Sequence, residues 1–366
     1  MIPSPRPPVA DPALTRPDWT RGTNRDSKLL WLDKNENTDP EHLAHVANIL
    51  SRISPATYAT YPEAWTVYGK LARWAGVQPE QLVLAAGSDG IIRSVFESFV
   101  SLGDIVITTS PTFAMYDVYC RIYGAAKVTL EYRPSPAGPE LTKDEVVSAI
   151  RTSSPRLVCV PNPDSPTGSV FSRADIMAII DAAGKAGAII LIDEAYYPFH
   201  DETVVPLIKE FPHLVVARST AKAWGLAGLR IGYAIASPEL AKILHKVRPM
   251  YECSTFGMVG LAAVLDHPEL VTATVSRLEA GKAYFLKSMD SLGLRTLHGK
   301  GNFLHVDFAD RRDTVHNALS DICYYRKDFQ EPCLKGFSRF SSTTVERFKP
   351  VIEAITNIVK GPSANG

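Results

Sequence analysis

Residues 82–96 read LVLAAGSDGIIRSVF, an apolar strand, a tight turn and the start of a helix in one stretch. In that arrangement the backbone N–H groups of Ser88 and Asp89, just past Gly87, point at an anion with the helix dipole behind them. A dinucleotide-binding turn has a similar shape, but its three-glycine spacing is missing here, and Thr108-Thr109 stand where an acidic residue would close the next strand. Outward from this stretch, short β-branched or aliphatic runs at Leu82–Ala86, Asp104–Thr109, Lys127–Glu131, Leu157–Val160, Ile189–Ile192 and Leu214–Ala217 alternate with helix-length segments. Thr142…Glu145 and Ser172…Asp175 are start signals for two of these helices. The alternation predicts an α/β fold, a mostly parallel sheet sandwiched by helices, with ligands bound beyond the carboxyl ends of the strands.

Ahead of this region Asp39-Pro40, an N-cap and a first-turn proline, predicts a helix with Leu43, Val46, Leu50 and Ile53 on one apolar face. After a second such pair at Ser237-Pro238 the pattern turns helical. Val271, Val275, Leu278, Phe285, Met289 and Leu292 make a seam interrupted by Lys282, a stripe that reads as core or interface. Strands at Phe303–Phe308 and Phe337–Ser341, with helices near Thr314–Ser320 and Val345–Ile358, read as a smaller C-terminal α+β domain. The 366 residues exceed the ~250–300 that one core usually organises. The expected division is an arm over residues 1–38, a large domain over 39–245 and a small domain over 246–366.

The arm carries Pro3, Pro5, Pro7, Pro8, Pro12 and Pro17, which argue against helix or central strand and for an extended segment, either a disordered tail or an arm lying on a neighbouring subunit. Lys and Arg total 39, as do Asp and Glu, so no global field recruits nucleic acid or an acidic membrane, and an anionic ligand needs a local site. No apolar run approaches the ~18 residues that span a bilayer. Five scattered cysteines without a CxxC argue against a disulfide framework or structural zinc, and no secretory signal is visible, so the expected compartment is the cytoplasm. The nine histidines suggest no metal site; His42 and His45 read as a solvated helix edge.

The most informative window is STAKAWGLAGLRIG, residues 219–232. A lysine becomes a nucleophile when burial or a nearby positive group lowers its pKa, and it can then hold a carbonyl compound as a Schiff base. Lys222 is such a candidate, with Arg230 and the Ser219 hydroxyl placed to hold a phosphate; a surface lysine beside a glycine-rich turn is the plainer reading.

This window resembles the lysine signature of the fold-type I pyridoxal-phosphate enzymes, class I/II aminotransferases, and further matches follow in that family's order. The resemblance implies an aspartate aminotransferase-like fold with a seven-stranded sheet, pyridoxal 5'-phosphate as cofactor and a homodimer with shared sites. In LIDEAYYPF, Asp193 is implied to pair with the pyridine nitrogen and Tyr196 to donate to the ring's phenolic oxygen, with Ala195 beneath the ring. Gly87, Ser88 and Asp89 become the phosphate cup, Phe113 in SPTFAMYDVY the stacking aromatic, and Tyr61 in YATYPEA the residue reaching the other subunit's phosphate. From LDKNEN, which contains Asn35, to the last helix the pattern is similar to the histidinol-phosphate aminotransferase branch. There, Asn35, Arg326 in YYRKDF and Arg339 in GFSRFSS become substrate-binding candidates. An arginine fork suits bidentate phosphate or carboxylate recognition; a surface pairing with Asp328 is the other reading of Arg326.

The chain departs from the family at three places. NPNNPTG appears as NPDSPTG, residues 162–168, so Ser165 stands where an asparagine would donate to the phenolic oxygen. Phe340-Ser341-Ser342-Thr343 follows Arg339, and Thr38 follows NEN, both unlike the branch. The expected reaction carries an amino group from histidinol phosphate or a related amino compound to a 2-oxo acid such as 2-oxoglutarate, with Lys222 as Schiff base and then general base. A pyridoxal-phosphate lyase (decarboxylation, elimination or cyclisation) on the same fold and a catalytically silent cofactor-binding regulator are the alternatives.

Overall fold

The computed structural model describes residues 4–16, 22 and 24–361; Pro3, Pro17 and the last five residues of the chain, 362–366, lie outside the described residues. The described residues form twelve strands: β1 (Leu30–Trp31), β2 (Leu82–Ala85), β3 (Ile105–Ser110), β4 (Ala126–Glu131), β5 (Leu157–Pro161), β6 (Ile189–Asp193), β7 (Leu214–Ser219), β8 (Gly232–Ala236), β9 (Arg295–Leu297), β10 (Phe303–Asp307), β11 (Cys323–Tyr324) and β12 (Phe337–Ser341). Seven of them make the main sheet in the order β2-β8-β7-β6-β5-β3-β4. All run parallel except β8, which is antiparallel to both neighbours. The sequence reading located the six parallel strands and passed over β8, whose GYAIA run opens on a glycine at the end of the glycine-rich window 219–232.

Alternation along each strand builds two cores. Leu82, Leu84, Val158, Val160, Ile190, Ile192 and Val216 face one helical layer. Val83, Ala85, Cys159, Leu191, Val215 and Ala217 face the other. Strands buried on both faces read as continuous apolar runs for this reason. A second sheet, β12-β10-β9, is antiparallel and packs with the helices Glu269–Ser291 and Val345–Lys360 around Phe285, Phe340 and Phe348. The two-residue β1 pairs in parallel with β11 and ties the segment before Leu32 to this part of the chain.

The helix start signals act locally as expected: Thr142 and Glu145 form a reciprocal capping box, and Ser172 and Ser237 accept from Asp175 and Leu240 backbone N–H groups. Three expectations are corrected. The helix Pro40–Leu50 buries His42 and Val46 while Leu43 stays 38% exposed, and Ile53 lies past its end, so its buried face is turned by one residue from the aliphatic stripe. His42 is therefore no solvated edge: it is fully buried with Nε2 2.9 Å from the Trp224 carbonyl. The arm is not wholly extended, because Pro7–Ala10 forms one helical turn whose first positions, Pro7 and Pro8, need no N–H partner. The described part of the arm lies on its own chain, with Arg6 over the Tyr123 ring, Asp11 3.5 Å from Arg121, and Arg16 against Met115.

Candidate active site

Five parallel strands end at one edge of the sheet and deliver their next residues to a single cleft. After β2 come Gly87, Ser88 and Asp89; after β3, Phe113; after β5, Pro163 and Ser165; after β6, Ala195 and Tyr196; after β7, Ala221 and Lys222. The carboxyl ends of β6 and β7 contribute Asp193 and Ser219 themselves. Reversal of β8 supplies the last piece. Ser219 pairs with Gly232 across a β-hairpin whose loop is residues 220–231, so Arg230, at the amino end of an antiparallel strand, faces the same edge as the carboxyl ends of the others. The window singled out in the sequence is thus one hairpin loop with Lys222 near one stem and Arg230 at the other.

The turn after β2 depends on two glycines. Gly87 has φ +83°, and a Cβ there would stand 2.8 Å from Arg230 Nη2. At Gly232 a Cβ would stand 2.1 Å from the Ser88 backbone nitrogen. Neither position accepts a side chain without pushing the guanidinium or the helix start away. The helix Gly87–Phe99 begins here with unpaired first-turn N–H groups, and Arg230, in the left-handed region at φ 54°, brings its charge to the same place. The Asp89 carboxyl turns aside to accept from Tyr119 Oη at 3.1 Å, and burial holds its pKa above the usual carboxylate range.

Lys222 Nζ donates to the Lys34 carbonyl at 3.0 Å and lies 5.8 Å from the Tyr196 ring centre. Burial first, then the positive field of Arg339 and Arg230, lowers its pKa to about 8, against the opposing pull of Glu36 and Asp193. Asp193 accepts from Tyr116 Oη and the Ala195 backbone N–H, both at 3.0 Å, while burial raises it to about 6. Tyr196 Oη accepts from Asn35 Nδ2 at 2.9 Å. Asn35 is itself fixed, at φ 55°, by its N–H on Ser341 Oγ and by Asn302 Nδ2 on its carbonyl.

Arg339 projects from β12 with Nη2 3.0 Å from the Asp33 carbonyl and Nη1 3.5 Å from Ser165 Oγ; its Nε has no hydrogen-bond partner. It is buried, which lowers its pKa. A buried guanidinium held by neutral oxygens retains donor capacity for an incoming anion. Arg326 lies outside the cleft: its guanidinium stacks 4.0 Å over Phe329 and reaches the Asp328 carbonyl and Glu331, while its backbone pairs with that of Arg339. Tyr61 is 76% exposed, stacked on Tyr251 away from the cleft of its own chain.

The sequence reading passed over Tyr116 and Asp164. Tyr116 follows Phe113 by one helical turn, so the same helix start that presents Phe113 to the cleft sends Tyr116 beneath it to Asp193. Asp164 is fully buried and accepts from Thr109 and Thr112 hydroxyls at 2.6 and 2.7 Å; burial raises it to about 7. Among the described residues no group of three or more His, Cys, Asp or Glu is gathered as for a metal ion.

Comparison with known proteins adds the following. The model of the aminotransferase class I and II family matches residues 27–355. A histidinol-phosphate aminotransferase of Thermoanaerobacter pseudethanolicus is 32% identical over 318 residues, covering 86% of this chain and 88% of that one. One from Caldanaerobacter subterraneus is 30% identical, covering 87% and 89%. The fold is similar to that of a histidinol-phosphate aminotransferase from Sinorhizobium meliloti solved in complex with pyridoxal-5'-phosphate, with a TM-score of 0.78, 21% identity, and 90% and 91% of the two chains covered. It is also similar to aspartate aminotransferase from Thermus thermophilus with maleate, with a TM-score of 0.72, 22% identity, and 90% and 92% covered.

Proposed function

Because this chain belongs to the class I and II aminotransferase family, we propose that it moves an amino group from an anionic amino donor to a 2-oxo acid, with pyridoxal 5'-phosphate anchored on Lys222. The observation that carries the proposal is the meeting of Lys222, Asp193, Tyr196 and Arg230 at one sheet edge. The residues present suit this cofactor: the Gly87 cradle and Arg230 match a phosphate, the anchored Asp193 carboxylate a protonated ring nitrogen, and the lowered pKa of Lys222 a carbonyl carbon. When bound, pyridoxal 5'-phosphate accepts the electron pair left by a bond broken at the substrate's Cα.

The chain's own groups do the rest. Lys222 Nζ, neutral in a large fraction near pH 8, receives the Cα proton as general base and returns it as acid. Asp193, fixed by Tyr116 and Ala195, holds negative charge opposite a protonated nitrogen. Tyr196 directs its phenol into the cleft, with Ser165 beside it as the shorter hydroxyl counterpart of an amide. Arg339 orients the donor's anionic end, and Phe113 covers the face of the cleft toward solvent.

By analogy with the relatives' names, the first donor to test is histidinol phosphate, with 2-oxoglutarate as acceptor. Tyr58, Tyr61, Trp65 and Met250 are each more than 70% exposed, and Tyr61 lines a groove with Lys70 and Asp266, which suits burial against a second copy that receives Tyr61. All five cysteines are free, consistent with a cytoplasmic location, and no single helix among the described residues is long and apolar enough to cross a membrane. The test is glutamate formation from 2-oxoglutarate across a panel of phosphate-bearing, aromatic and basic amino donors. Donor consumption without glutamate would replace the proposal with lyase chemistry.

A further inference from the structure

The apolar seam of helix Glu269–Ser291 buries Val271, Leu278, Phe285 and Met289, and Lys282 sits in the same seam at 6% exposure. An unpaired ammonium among such neighbours is costly, and a methionine would fill the space without that cost. Lys282 is not unpaired. Its Nζ donates to the Gly299 carbonyl at 2.8 Å and the Gly301 carbonyl at 2.9 Å, with the Glu279 carboxylate 3.9 Å away.

The loop carrying those two carbonyls joins β9 to β10 and is wedged against the cleft on its other side. Lys300 N–H donates to the Gly168 carbonyl at 2.8 Å, and a Cβ on Gly168 would stand 2.9 Å from Gly299 Cα, so loop and turn 164–168 are in backbone contact. Gly301, at φ +92°, lies so close beneath Tyr196 that a Cβ there would stand 3.2 Å from its ring. Phe303, two residues on, packs edge-on against the same ring at 5.3 Å. The loop therefore touches both the turn that carries Ser165 and the ring of Tyr196, and Lys282 holds it from behind.

We infer that Lys282 is a positioning residue for amino transfer: by holding the Gly299 and Gly301 carbonyls it seats the loop that aims Tyr196 into the cleft. The inference rests on the role proposed for Tyr196. The groups facing Lys282 are Glu279 on its own helix, whose Oε1 has no hydrogen-bond partner, and Lys300 on the loop. Neither replaces the two carbonyl contacts.

The test is a double-mutant cycle of Lys282→Met and Tyr196→Phe in the cofactor-loaded protein, with Lys282→Arg as the conservative control. It reads kcat/KM, the pH midpoint of the bound cofactor's visible absorption, and the unfolding temperature of the cofactor-free protein. K282M is expected to lower kcat/KM about tenfold or more, mainly in kcat, because a misplaced catalytic group costs rate. It should move the absorption midpoint in the same direction as Y196F, and add little further loss in the Y196F background. K282R, which keeps two donors, should recover most of the loss.

Losses that multiply in the double variant, or a K282M midpoint equal to wild type beside a shifted Y196F midpoint, would overturn the link while leaving the Tyr196 reading intact. An unshifted Y196F midpoint would overturn both. If K282M does not fold, the same cycle with Lys282→Gln is read by the same criteria.

Discussion

Lys222 and Arg339 are coupled by charge. Arg339 follows burial as a cause of the lowered lysine pKa, so the residue proposed to bind the donor's anion also helps keep the amine neutral. Only the neutral amine captures a carbonyl, and its folded pKa lies near 8. The rate of pyridoxal 5'-phosphate capture by the cofactor-free protein should therefore rise with pH through a midpoint near 8 and level off well above it. In Arg339→Met the midpoint should move upward, which stopped-flow absorbance across pH would detect; an unchanged midpoint would remove Arg339 from the lysine's environment. For the donor, Arg339→Ala should raise KM for a phosphate-bearing amine roughly 10–100-fold, the size of a charged hydrogen-bond pair lost. An uncharged amine of similar shape should lose far less.

At the scale of elements, the β7–β8 hairpin and the helix beginning at Gly87 carry the cup. Gly87→Ala meets both a positive φ and Arg230, so it should weaken cofactor affinity by about tenfold or more, measurable by equilibrium dialysis. Turn 164–168 allows a test of stability. Asp164 has its folded pKa raised from 3.8 to about 7, so between those values the folded state binds more protons than the unfolded, and the group's contribution to stability falls as pH rises through that window. Asp164→Asn cannot titrate. Its unfolding temperature relative to wild type should therefore climb between pH 4 and pH 8, and a pH-independent difference would contradict the assignment. These elements also show what was legible in the sequence. Apolar runs gave the six parallel strands because two buried faces leave no polar alternation, and Lys222 and Arg230 stood out in a window of small residues. Strand β8 was hidden because it opens on a glycine within the glycine-rich window, and the burial of His42, Lys282 and Asp164 was hidden because each is satisfied by a carbonyl or hydroxyl from a distant segment. Tyr116 was hidden differently: its partner Asp193 lies 77 positions on, a contact that only the sheet order creates.

Across the whole molecule, the cleft takes Lys222 from the main sheet, while Arg339 from the antiparallel sheet and Asn35 from the segment that follows β1 reach its Ser165 and Tyr196 by hydrogen bonds, so a working site needs both sheets in register. In the proposed dimer, the exposed Tyr61 face extends that dependence to a second copy. Mixing Lys222→Ala chains with Tyr61→Ala chains should regenerate about a quarter of wild-type activity, since half the randomly assorted dimers carry one intact site. No regained activity on mixing would argue that Tyr61 serves its own chain or none. Every role proposed for the cleft depends on Lys222. Borohydride reduction of the cofactor-loaded protein followed by peptide mapping should place the reduced cofactor's mass on Lys222 in the segment 219–230, and Lys222→Ala should take up no label there. Label on another lysine, or full labelling that survives in Lys222→Ala, would contradict it.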